Sequence, residues 1–196
     1  MSVLSIAQFR QLAASLTMEH ALYHHGDEHR LAAVLILVYP GQGEPHIVLT
    51  RRTSHLSNHA GQISFPGGSV DADDLDPVHT ALREAREEIA LDERTVDVLG
   101  ILDITVLPSG FAVAPVLAVM DEQPVLQANP HEVEEIFSIP LSMISDLSRY
   151  GRDSLELDGR RREFYYLYYG DYYIWGATAR ILRALAELLQ VGMSNE

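Results

Sequence analysis

From Leu31 to Tyr39 nine successive residues are apolar, and the run stops at Pro40 and the turn-forming Gly41-Gln42-Gly43-Glu44-Pro45. The run reads as a strand, followed by a second strand at His46–Thr50. Ahead of it, Ile6, Phe9, Leu12 and Ala13 recur at helical spacing and predict a short helix near Ser5–Ser15. Beyond it, Gly61–Gly68 reads as an apolar strand that ends abruptly at Pro66-Gly67-Gly68. Asp76-Pro77 is an N-cap followed by proline at the first helical position, so a helix should run from there to about Ala90. Further strands are predicted at Val96–Thr105, Phe111–Met120, Glu135–Ser138, Ser154–Glu156 and Glu163–Tyr169. A short helix is predicted at Leu141–Leu147 and an amphipathic closing helix at Thr178–Leu189. Strands and helices alternate irregularly, with no repeat and no linker rich in Gly, Pro or Ser. The expectation is one mixed α/β domain over 1–196, with a core at about 31–190 behind an N-terminal helix and connector at 1–30.

Composition narrows the chemistry. A chain of 196 residues and 21.8 kDa has room for one sizeable core and not for two ordinary domains. The nine-residue apolar run is about half of what a membrane span needs. No basic leader precedes the first apolar residues, so a secretory signal is not expected and a cytoplasmic location is. The absence of cysteine excludes disulfides, thiolate metal sites and cysteine catalysis. All 14 basic residues are arginines against 28 acids, a net charge of −14. With no lysine there is no Schiff-base chemistry and no P-loop lysine. A chain this acidic repels a polyanionic duplex, so no nucleic-acid partner is expected. A small anionic ligand stays admissible where a divalent cation bridges the two. His20, His24, His25 and His29 fall within ten residues but follow no regular ligand spacing, so that stretch reads as a connector.

The helix after Gly68 is the most informative segment. At about 100° per residue, Val78, Ala81, Leu82, Ala85 and Ile89 share a core face. Glu84, Glu87 and Glu88, at i, i+3 and i+4, cluster on a second face, and Arg83 can reach Glu87 one turn on. Three clustered carboxylates repel one another. Either Arg–Glu pairs on a solvated face relieve that repulsion, or a hard divalent cation such as Mg²⁺ or Mn²⁺ does so. Gly67 and Gly68 bring backbone groups to the edge of this cluster, where glycine permits close approach to a metal or a phosphate, or simply makes a tight turn.

Gly67-Gly68 followed by REAREEIAL resembles the Nudix box, G-x5-E-x7-R-E-U-x-E-E-x-G-U with U aliphatic. Arg83, Glu84, Ala85, Glu87, Glu88 and Leu91 fall on matching positions. The resemblance implies a Nudix α/β/α sandwich and a hydrolase that cuts a diphosphate linked to another moiety by attack of water on phosphorus. It implies that Glu84, Glu87 and Glu88, with Gly68, bind Mg²⁺ or Mn²⁺ and that Arg83 orients the acids. Two positions depart from the pattern. Ala90 stands for the box's last glycine, and the loop is one residue longer, so that Leu75 and Ser69 fall where the first glutamate and glycine belong. Asp71 and Asp74 are the candidates for the missing acid.

Val48–Gly68 is similar to the signature of coenzyme A pyrophosphatases, L-L-T-x-R-S/A-x3-R-x3-G-x3-F-P-G-G, through Leu49, Thr50, Arg52, Gly61, Phe65, Pro66, Gly67 and Gly68. The longer acidic loop and Ile174-Trp175-Gly176 before Thr178-Ala179 also look like that subfamily. This implies CoA or an acyl-CoA as substrate, cut to 3′,5′-ADP and 4′-phosphopantetheine or its acyl form. The signature's second arginine is Ser57 here, which leaves Arg51 and Arg52 as the phosphate contacts. The alternatives are another nucleoside diphosphate derivative, such as ADP-ribose or NADH, and a binding module of the same fold that no longer turns over. His59 is a candidate phosphate donor. Asn129-Pro130-His131-Glu132-Val133 resembles the family segment that brings another glutamate over the metal, making Glu132 a candidate ligand or base, with Glu135 as fallback. Ser109-Gly110-Phe111 resembles the turn beside the substrate pocket. The aromatic stretch Phe164–Trp175 holds six of the nine tyrosines and reads as sheet packing or as the interface of a homodimer.

Overall fold

A computed structural model describes residues 4–13, 29–54, 61–157 and 159–194. The strands are β1 (Arg30–Pro40), β2 (Pro45–Arg52), β3 (Ile63–Ser64), β4 (Gly67–Ser69), β5 (Asp97–Ile101), β6 (Thr105–Val106), β7 (Phe111–Val119), β8 (Val133–Pro140), β9 (Gly151–Leu157), β10 (Arg160–Tyr169) and β11 (Tyr172–Trp175). The helices are α1 (Ile6–Ala13), α2 (Pro77–Ile89), α3 (Leu141–Ser145) and α4 (Gly176–Ser194).

The main sheet runs β3-β2-β1-β7-β5, with β4 beside β1, β6 beside β7 and β8 beside β2. At its centre β1 and β7 pair in parallel from Arg30↔Phe111 to Val38↔Val119, and the chain between them carries α2. A parallel pair needs cover on both faces, and the alternation of β1 provides it. Ala33, Leu35, Leu37 and Tyr39 pack with Ala81, Ala85 and Ile89 of α2. Ala32, Ile36 and Val38 turn to the opposite core, shared with α1, α3, α4 and the second sheet, β11-β10-β9. The result is the expected α/β/α sandwich.

Most predicted elements stand within a residue or two of their places; β9 and β10 each begin three residues earlier than predicted, α4 runs on five residues to Ser194, and three further segments differ in kind. The 61–68 segment does not end at its glycines. At Phe65-Pro66 the chain changes partner, leaving β2, where Ile63 and Ser64 pair with Arg51 and Thr50, and joining β1, where Gly67 and Gly68 pair with Val34 and Ala33. Pro66 has no N–H to give, but its carbonyl accepts from the Leu35 N–H at 2.8 Å, so the crossing stays bonded. The 96–105 strand divides into β5 and β6, after a register shift between Val98 and Gly100. Ile174 and Trp175, which lie between the predicted 163–169 strand and the predicted closing helix, belong to a further strand, β11, paired with β10 through the two-residue turn Gly170-Asp171. Gly-Asp between two aromatic runs is the hairpin signal for this strand.

Helix α2 ends as its sequence requires, with one strained residue. Its terminal cap, Ala90, sits at φ 53° and ψ 35°, the left-handed region, while its N–H bonds the carbonyls of Ala85 and Arg86. A Cβ there costs about 1 kcal/mol relative to glycine. Ala90→Gly is therefore expected to raise stability in urea by about 0.5–1 kcal/mol, and a β-branched Val to lower it. An unchanged midpoint for Ala90→Gly would contradict the strain.

Candidate active site

Small residues set the depth at which α2 lies. Ala81 and Ala85 face Ala33, Ala114 and Ala118 of the sheet, all fully buried, so the helix axis comes close and its neighbouring carboxylates are pressed toward β4. There the two glycines make room. A Cβ on Gly67 would stand 2.4 Å from the Ala33 carbonyl oxygen, and one on Gly68 would stand 2.5 Å from the carboxyl carbon of Glu84. The Gly67 N–H donates to Glu88 Oε2 at 3.1 Å. The N-terminal end of α2 is held by Asp76, whose side chain accepts from the His79 N–H at 2.8 Å.

The three glutamates that share a helical face are not equivalent. The Glu88 side chain is 3% exposed, Glu84 16% and Glu87 48%. Arg83 joins two of them, donating to Glu84 at 3.0 Å and Glu87 at 3.2 Å. The same guanidinium donates twice to Asp74 at 2.9 Å and once to the Ser69 carbonyl at 3.0 Å. Asp74 is almost fully buried and also accepts from Thr80 Oγ1 and from the Asp71 N–H. Asp71 lies 3.7 Å from the arginine and is mostly exposed. Of the two acids left open by the one-residue shift, Asp74 is thus the one that engages Arg83, while Leu75, at the pattern position itself, is exposed.

Charge divides the site into a satisfied half and an unsatisfied half. The hydrogen bonds of Arg83 hold the Asp74 carboxyl well below the usual carboxylate range. Burial does the reverse to Glu84, whose pKa is raised despite Arg83. Glu88 is pushed up to about 7, first by burial and then by the charges of Glu84 and Glu132, against the opposing pull of the Gly67 N–H and of Arg52. Glu132 therefore bears electrostatically on both buried glutamates.

Its loop is fastened at two ends. The Gln127 and Asn129 N–H groups donate to the last α2 carbonyls, Ile89 at 3.0 Å and Glu88 at 2.9 Å. The Glu132 carbonyl accepts from the Thr53 N–H at 3.0 Å, just past β2. Inside the loop the Asn129 side chain accepts from the His131 N–H, and its carbonyl accepts from the Glu132 and Val133 N–H groups. None of these ties was visible in the sequence beyond the turn-forming Asn-Pro pair.

Strand alternation separates the two arginines. Arg52 turns to the α2 face, with Nη1 3.5 Å from Glu88 Oε1. Arg51 turns to the opposite face, 2.7 Å from Glu135, its cross-strand neighbour, whose other oxygen accepts from the Tyr172 hydroxyl at 2.7 Å. Arg51 is thus not brought to the carboxylates, and neither is Glu135; a period of two along 47–52 is signal enough to have found this. His59, Ser57, His20, His24 and His25 lie outside the described residues.

The donors gathered here are carboxylate and backbone oxygens, the ligand type Mg²⁺ and Mn²⁺ take. Glu84, Glu88 and Glu132 carry mutual repulsion that a cation would relieve. Among the described residues no three carboxylates or imidazoles already form a cation cage; Arg83 holds Glu84 and Glu87, and Arg52 stands beside Glu88. The residues fit the ion by chemistry, with Glu84 and Glu87 drawn instead to guanidinium hydrogen bonds.

The family model for the NUDIX domain matches residues 29–167, which include β1, the glycine pair, α2 and the Glu132 loop. The chain belongs to the Nudix family and is a Nudix hydrolase. It is 37% identical over 188 residues to a Salmonella paratyphi B protein named "Uncharacterized Nudix hydrolase NudL", covering 96% of this chain and 93% of that one. Solved structures share the fold. A Nudix hydrolase from M. smegmatis, RenU, is similar with a TM-score of 0.51 and 23% identity over 61% of this chain and 74% of its own. DR0079 from Deinococcus radiodurans also has a TM-score of 0.51, with 16% identity over 80% and 82%.

Two predictions follow from the charge pattern. The ordinary Glu88 value of 4.5 applies to the unfolded chain and about 7 to the folded one, so the contribution of Glu88 to stability falls as pH rises from about 4.5 and levels off above 7. In EDTA, Glu88→Gln should stabilise the protein by roughly 2–3 kcal/mol at pH 8 and by nothing near pH 4.5. Equal urea midpoints at pH 8 would show that the charge is already compensated. Asp74→Asn leaves Arg83 short of its buried partner and should cost about 2–4 kcal/mol at pH 7, whereas Asp71→Asn should stay within about 0.5 kcal/mol. Because the folded-state value of Asp74 lies below the ordinary 3.8, the wild-type advantage should shrink as pH falls below about 4.

Proposed function

We propose that the chain hydrolyses the diphosphate of CoA or an acyl-CoA to 3′,5′-ADP and 4′-phosphopantetheine or its acyl form, as one cytoplasmic catalytic domain using Mg²⁺ or Mn²⁺. The observation that carries the reading is the position of Arg52. The arginine that matches the coenzyme A pyrophosphatase signature is the one turned to the buried glutamate, 3.5 Å from Glu88. Its Nε, like that of Arg51, is buried without a hydrogen-bond partner among the described residues, so it is the face to which Arg52 turns that favours it as the donor to a phosphate oxygen.

Glu84, Glu87 and Glu88, with the Gly68 carbonyl, would hold the cation, which when bound polarises the phosphorus and supplies an activated water. The chain's own residues divide the remaining work. Arg83, anchored by Asp74, holds the Glu84 and Glu87 carboxylates in place through its hydrogen bonds. Arg52 and the Gly67 N–H meet negative charge at the inner edge. Glu132, on the fastened loop, accepts the proton of the attacking water, since its charge already bears on Glu84 and Glu88.

A second reading has its own support. Arg51 is engaged by Glu135 and Glu134, and Ser57 replaces the other signature arginine. That leaves a single arginine for a ligand with three phosphates and favours ADP-ribose or NADH.

Chromatography of products from CoA, 3′-dephospho-CoA, ADP-ribose and NADH, with Mg²⁺ or Mn²⁺, separates the two. The expected result is metal-dependent 3′,5′-ADP from CoA, reduced roughly tenfold or more in Glu88→Gln, with Arg52→Ala raising KM more than it lowers kcat. Cleavage of ADP-ribose or NADH but not CoA would sink the CoA reading. Nucleotide binding with no product from any of the four would leave a binding module.

A further inference from the structure

The second sheet has a face that no part of the described chain covers. Along β10, Tyr165, Leu167 and Tyr169 turn inward to the core with Tyr172 and Ile174 of β11. The alternate residues, Phe164, Tyr166 and Tyr168, turn outward together with Tyr173 and Trp175. These five rings touch one another in a continuous layer, with centroids 5.0–6.4 Å apart. Tyr168 is 60% exposed and Tyr173 37%. Tyr166 lies across β9 only because Gly151 has no side chain; a Cβ there would meet the ring at 2.3 Å. The sequence reading allowed packing or an interface for this segment, and alternation assigns the inward set to packing, leaving the outward set without a partner.

Charge selects the occupant. Seven of the 14 arginines but only five of the 28 acids fall between residues 149 and 183. Few of these charges stand on the aromatic side: Arg152 and Arg183 stack on the inward Tyr165, and Asp153 is the cross-strand neighbour of Phe164, so what the face offers a second copy is decided at the two ends of the row. At the β9–β10 end of the aromatic row stands Arg162, and at the other end, in the β10–β11 turn, Asp171. Both are exposed, and neither has an ion-pair partner among the described residues. We infer that two copies of the chain pair face to face through this aromatic layer, about a two-fold axis in the interface perpendicular to β10 and level with Tyr166. That axis makes the strands antiparallel. It sets Phe164 against the partner's Tyr168 and brings Arg162, four residues or about 13 Å from the axis, beside the partner's Asp171. An axis parallel to β10 would oppose like charges and is disfavoured. Sideways pairing through the β9 edge is hindered because the Asp153 side chain already takes the Ser154 N–H at 2.7 Å. Five rings, three of them mostly buried within the layer, offer roughly 300–400 Å² per copy. The flanking residues of β9–β11 supply the rest of the roughly 800 Å² per partner of a stable interface.

Sedimentation equilibrium of the full chain between about 1 and 100 µM tests this, with circular dichroism confirming that each variant folds. The wild type is expected to be a dimer of the 21.8 kDa chain, and Tyr168→Arg a monomer. Arg162→Asp and Asp171→Arg should each weaken dimerisation at least tenfold, and the double variant should recover to within about threefold of the wild type. A wild type that stays monomeric at 100 µM overturns the inference. So does a dimer indifferent to Tyr168→Arg, or one that the double reversal fails to rescue. Tyr168-dependent binding of a fluorescent single-stranded oligonucleotide by a monomeric chain would reassign the face to base stacking and overturn it as well.

Discussion

The distance between α2 and the sheet governs this site. It is small because alanines meet alanines across the layer and because two glycines take the place where side chains would otherwise separate helix from strand. Widening that gap by one Cβ at Gly68 displaces the Glu84 carboxylate, and one at Gly67 collides with the backbone of β1. Close packing of this kind yields little when a single atom is added. Burial of Glu84 and Glu88 is thus a consequence of the architecture, and the raised pKa of each is a consequence of burial.

From that constraint the charge arrangement follows. A helix with three glutamates in two turns is self-repelling, and a buried carboxylate without a cation is costly. The chain resolves half of the problem permanently. Arg83 is spread over Asp74, Glu84, Glu87 and a backbone carbonyl, and Asp74 is satisfied by three separate donors. The other half, around Glu88 and Glu132, is left only partly neutralised by Arg52 and one amide. Perturbed groups that persist in an otherwise well-bonded fold cluster where chemistry is done, and here they coincide with the positions that match the family's motif.

The sequence disclosed this unevenly. Core strands and α2 were legible because their signals are local: an uninterrupted apolar run, a 3.6-residue period and an Asp-Pro start. The partner change at Pro66 was not, because a strand's neighbour depends on distant chain, and 61–68 looks the same whether it pairs with β2 throughout or crosses to β1. Periodicity put Glu84, Glu87 and Glu88 on one face but could not rank their burial, which depends on what packs above them. Asp71 and Asp74 were indistinguishable as letters; the turn that aims Asp74 at Arg83 separates them. Arg51 and Arg52 are the opposite case, since strand alternation alone divides them between two faces.

The fastened loop shows how tightly these parts are coupled. The last two carbonyls of α2 would be orphans at a helix end, and they are satisfied by the segment that carries Glu132. Helix termination and placement of that carboxylate are therefore one set of hydrogen bonds. Ala90, strained at φ 53°, is the residue through which the chain leaves the helix at this junction. Glycine would relieve the strain and also loosen the backbone on which the loop is hung. A stability gain there need not carry a gain in turnover, because the carbonyls that hold Gln127 and Asn129 belong to the two residues immediately before Ala90.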